Sequence, residues 1–154
     1  MRKKKKEIDL EPPKSGKELL QEYTNEMDGL YRWLNETLAA YDNAIFNTPD
    51  FSGFDREYAV RFIRTYDIIH EVLTDAQRNM FYLFTASGEK YKDTLELLSG
   101  QPKNVATLRV MICKIRKKIK ERYYELYGRD NNFCIFMKKE ITASVKSITK
   151  TTMN

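Results

Sequence analysis

Five aliphatic residues, Val105, Leu108, Ile112, Ile115 and Ile119, step along the chain by three, four, three and four positions. A helix returns to the same side every 3.6 residues, so these five form one apolar stripe, whereas a strand would need alternation by two. Gly128 stops the run. A segment patterned this way buries its stripe only as an amphipathic helix packed against an apolar partner.

The preceding residues supply such partners. Leu20, Tyr23, Met27, Leu30, Leu34, Leu38, Tyr41 and Ile45 recur at helical spacing behind a capping box of Ser15 and Glu18. Gly29 marks a point where this long first helix can bend. Asn47 to Gly53 is a turn-rich break. A second helix is predicted from about Asp55 to Leu73, with Ala59, Phe62, Ile63, Tyr66, Ile69 and Leu73 inward. Thr74 then caps a third, through about Phe84, with Met80, Phe81 and Phe84 inward and Gly88 ending it in the left-handed conformation. A short fourth helix covers about Tyr91 to Leu98, and Ser99-Gly100-Gln101-Pro102 breaks it.

Six Gly and four Pro in 154 residues are too few for the turns of a β-rich fold, and 42% hydrophobic residues suffice for a core. The fold expected is all-α. Residues 1–14 read as a basic flexible tail and residues 129–154 as a C-terminal tail. The latter holds an apolar patch from Phe133 to Met137. Beyond it, Ile141, Ala143 and Val145 alternate as in a strand, while Ile141, Val145 and Ile148 suit a helix.

The residues that perform catalysis are scarce. His70 is the sole imidazole and lies beside the apolar stripe of the second helix, which reads as a helix-edge packing residue rather than a base. Cys113 reads as a small packing residue on the fifth helix. With Cys134 it makes only two thiols, too few for a disulfide framework or a structural zinc site. No enzyme, cofactor or metal is expected. The basic opening Arg2 to Lys6 is followed by Glu7 to Pro13 instead of an apolar stretch, and no apolar run approaches the ~20 residues of a membrane span. A cytoplasmic protein without a membrane partner is the expectation.

Charge is divided unevenly. Residues 1–100 carry a net −4 and residues 101–154 a net +9. Sorting the fifth helix by its stripe turns Thr107, Val110, Cys113, Lys114, Lys117 and Lys120 outward, with Arg109, Arg116 and Lys118 flanking. Cations at this density can neutralise several phosphates of a polyanion. A solvated basic face is the plainer alternative. A short helix, a Gly-containing turn and a longer basic helix are, however, the parts of a helix-turn-helix.

Three stretches carry a resemblance: Leu73-Thr74-Asp75-Ala76-Gln77-Arg78, Tyr91 to Leu98, and Ala106 to Ile119 with its Ile-Arg-Lys-Lys-Ile ending. Together, over about Leu73 to Tyr127, they resemble sigma factor region 4. They are similar also to the sigma-like domains of small phage transcription regulators of the RinA and ArpU kind. The broad apolar face of the first helix reads as part of an N-terminal helical part at 15–73, for packing or dimerisation, and the resemblance implies a helix-turn-helix at 74–128. It also implies a DNA-binding transcription regulator of bacterial or phage origin. Double-stranded DNA is the partner implied, with RNA polymerase and a homodimer or larger homo-oligomer as further ones. The DNA-binding set is Lys103, Asn104, Thr107, Arg109, Lys114, Arg116, Lys117 and Lys118. The chain departs from the family in a longer turn, Ser99 to Asn104, and in Leu95 where a small residue is usual. Of the base-reading positions, Val105, Ala106, Arg109 and Val110, only Arg109 keeps a bidentate donor suited to guanine.

The rival expectation is a phage structural or DNA-packaging protein, resembling a small terminase or a head-tail connector component, and so belonging to the virion. Its support is the apolar patch at Phe133 to Met137 and the tail after it.

Overall fold

The computed structural model describes residues 15–43, 54–98 and 102–129. The N-terminal basic run, the break after the first helix, Ser99 to Gln101 and the tail from 130, with Cys134 and the apolar patch, lie outside the described residues. Those described are all-α, with no strand among them. Five helices follow one another: α1 (Gly16–Asn43), α2 (Arg56–Val72), α3 (Asp75–Ala86), α4 (Tyr91–Leu97) and α5 (Val105–Tyr127).

Local chemistry sets the ends. The Ser15 and Glu18 capping box forms as expected, with each backbone N–H donating to the other residue's side chain at 3.0 and 3.1 Å. Asp55 caps α2 rather than beginning it, accepting from the Tyr58 amide at 3.0 Å. Thr74 and Gln77 form a second capping box at the start of α3. At its end Gly88 takes φ +85°, and the Gly88 and Glu89 amides donate to the carbonyls of Thr85 and Phe84. These paired bonds close the last turn in the manner of a Schellman motif. Glu89 follows with φ +63°, a conformation that a non-glycine residue adopts only under tertiary constraint.

Packing unites the helices into one core. α1 and α2 pack antiparallel, and the connection is reciprocal: Tyr66 of α2 donates to Asp28 of α1 at 2.6 Å, and Tyr31 of α1 donates to Asp67 of α2 at 2.7 Å. The two tyrosine rings stack between these bonds, 3.9 Å apart. α3 lies in the middle, against α1, α4 and α5, so Met80 through Thr85 are all buried. Its Tyr82 meets Tyr23 of α1 edge to face at 5.3 Å, and burial holds both phenols neutral by raising their pKa values. α5 packs on α2, α3 and α4. Its stripe is buried from Leu108 to Ile119 and continues to Tyr123.

Leu20, Leu38 and Val105 are half-buried rather than interior, and further inward assignments need correction. Tyr41 is 39% exposed, with Phe54 against its ring. Ile63 and Tyr66 are half-buried, while Thr65 and Ile68 take the interior positions on α2. Cys113 is exposed, not packed, because it sits opposite the stripe. His70 lies at the helix edge as expected, stacked on Tyr66 at 4.2 Å with Nδ1 3.1 Å from that residue's carbonyl oxygen. Desolvation first, and then the charge of Arg78, lowers its pKa.

One close approach joins the start of α1 to the end of α4. A Cβ on Gly16 would run into the carbonyl oxygen of Leu97, so the start of α1 rests on the end of α4 only because that residue is glycine.

Candidate nucleic-acid interface

The start of α5 is built by Asn104, whose side-chain oxygen accepts from the Thr107 amide at 2.8 Å. That oxygen serves the helix, leaving only the amide NH₂ of Asn104 to face a ligand. α1 to α4 each carry an acidic residue in the first turn: Glu18, Glu57, Asp75 and Asp93. α5 carries none. Its positive dipole end is therefore left without the anion that would stabilise an isolated helix.

Burial of the stripe dictates what faces outward. Ala106, Val110, Lys114 and Lys117, at steps of four, four and three, form an exposed ridge opposite Leu108, Ile112, Ile115 and Ile119. About 16 Å of helix separates its ends. Thr107, Cys113 and Lys120 are exposed beside it, as is the acid Glu121. Lys103 is exposed immediately before the cap. None of Lys103, Lys114, Lys117 and Lys120 forms an ion pair with a described residue, although the Lys120 ammonium sits 5.8 Å from the Tyr124 ring.

The remaining members of the expected set divide. Arg109 is exposed, with its guanidinium 5.1 Å from the ring of Tyr91 on α4. Lys118 is exposed and donates to Gln77 on α3 at 3.4 Å. Arg116 does not join the outward face, which corrects the expectation. Its side chain is half-buried, donates to Glu89 at 2.6 Å and lies over the Phe84 ring. It ties α5 to the turn between α3 and α4. Arg122 behaves similarly, holding Glu71 of α2 at 2.8 Å and Glu125 at 2.8 Å. The Glu71 carboxylate, hydrogen-bonded by that guanidinium, has its pKa lowered.

Sequence periodicity identified the outward lysines but missed the exposure of Met111, at 38%. It also could not separate the bracing arginines from the free lysines. Among the described residues no three His, Cys, Asp or Glu side chains gather as a metal site, and no helix is long and apolar enough to cross a membrane. Set against protein-family models, curated proteins and solved structures, the chain matches none.

Proposed function

We propose that this protein is a non-catalytic DNA-binding transcription regulator in which α4, the connection after it and α5 work as a helix-turn-helix of the sigma region 4 kind. α5 enters the major groove, with Thr107 and Arg109 toward the bases and the lysines on phosphates. One observation carries the reading. Lys103, Lys114, Lys117 and Lys120 stay exposed and form no ion pair with a described residue, although the first hundred residues carry an excess of acid. A protein that merely balanced its own charge would bring those carboxylates to the lysines. Here the body's ion pairs to α5 go to Arg116 and Arg122.

The test is the salt dependence of duplex binding, followed by fluorescence anisotropy of a labelled fragment with the full chain. Each phosphate contact contributes about 0.9 to the slope of log K against log salt. Changing Lys103, Lys114 and Lys117 together to Ala is expected to flatten that slope by about 2.7 and to weaken all duplex sequences alike. An unchanged slope would remove these lysines from the interface.

A further inference from the structure

The cationic face of α5 has an uncharged centre. Val110 is 52% exposed, more than any other large apolar side chain described, and it sits midway along the outward ridge. Ala106 lies one turn before it, Thr107 and Cys113 lie beside it, and Lys114 begins the next turn. Water is a poor partner for Val110. As a β-branched residue it also contributes less to an exposed helix than Lys or Ala would at that position. Phosphate binding alone gives no reason for it. The short side chains around it would let the helix backbone approach a surface closely, while the longer cations reach to either side.

Among polyanions, duplex DNA combines phosphate rows with an apolar group inside a groove wide enough for a helix: the C5-methyl of thymine in the major groove. Double-stranded RNA carries no such methyl, and its major groove is too deep and narrow. Resting on the DNA-binding reading above, we infer that Val110, flanked by Ala106 and the Thr107 methyl, reads thymine by contact with its C5-methyl group. Lys103, Lys114 and Lys117 hold the neighbouring phosphates.

The experiment is a cycle between one protein group and one DNA group. The full chain and its Val110→Ala variant are titrated with two duplexes of about two helical turns. One is of alternating dA and dT, and the other is the same with deoxyuridine for every dT. The wild-type chain is expected to bind the thymine duplex more tightly, by about fourfold for one buried methyl and about fifteenfold for two. Val110→Ala should bind both duplexes as the wild type binds the uracil one. The variant lies on an exposed face and favours helix, so its circular dichroism should be unchanged. Equal wild-type affinity for the two duplexes, with salt dependence retained, would overturn the thymine contact and leave the DNA reading intact. Discrimination that survives in Val110→Ala would overturn it as well, placing methyl recognition elsewhere. No binding to either duplex at low salt would overturn both readings, and tighter binding to double-stranded RNA would replace DNA with another partner.

Discussion

α1 and α5 are the two longest helices and both bury a single stripe, yet they carry opposite charge: net −4 on α1 and +5 on α5. The difference in how they use polar side chains is more instructive than the difference in sign. On α1, Asp28 accepts from Tyr66 and Asp42 is held by Arg56 at 2.8 Å, so two of its carboxylates fasten α2, while Glu18, Glu22, Glu26 and Glu36 are exposed. α5 splits its cations. Arg116 and Arg122, beside the stripe, brace the helix against Glu89 and Glu71, and the lysines opposite the stripe brace nothing. The bidentate reach of guanidinium suits the bracing role, and ammonium groups on flexible stems suit a diffuse polyanion. A helix stabilised for its own sake would also place an acid in its first turn, as α1 to α4 do.

The comparison can be broken first at the core. Met27→Ala on α1 and Ile112→Ala on α5 should each cost about 2–5 kcal/mol in chemical denaturation, with one cooperative transition, because both side chains are buried in the same cluster. If Ile112→Ala lost far less, α5 would not be an integral part of that core. The division among the cations comes next. Arg116→Ala should cost about 1–3 kcal/mol by leaving Glu89 without its partner, while Lys117→Ala should stay within about 0.5 kcal/mol. Similar losses for both would erase the distinction. At the start of α5, Asn104→Ala should cost about 1 kcal/mol and speed amide exchange in the first turn, whereas the exposed Lys103→Ala should not.

The smallest expected effect concerns His70, on the α2 side that faces α1. Its folded pKa is lowered, so above its ordinary value near 6.5 both states are neutral and stability is complete. As pH falls through that value the unfolded chain takes up the proton first, and stability declines until the folded pKa is passed. His70→Gln should remove that slope from denaturation midpoints measured on the acid side of neutrality. A slope that persists would assign it to another group.

Periodicity revealed most of α1, α2 and α5 because each of these helices has one wet face. α3 was harder, since a helix covered on nearly every side shows no alternation of polarity, and Tyr82 and Leu83 escaped notice for that reason. Thr65, Thr85 and Thr94 are buried polar residues whose hydroxyls donate to carbonyls four residues back, so they need no distant partner and leave no pattern. The outward ridge of α5 was legible as the complement of its stripe. That Arg116 belongs to the body was not, because Glu89 lies 27 positions away and reaches it only through the positive-φ turn after α3.

The most direct test is to titrate the isotopically labelled full chain with duplex DNA and follow its amide resonances. The account predicts that Thr107, Val110, Lys114 and Lys117 shift most, while Glu22, Glu26 and Glu36 on α1 stay in place. Shifts centred on α1, or an α5 ridge unmoved at low salt, would contradict it.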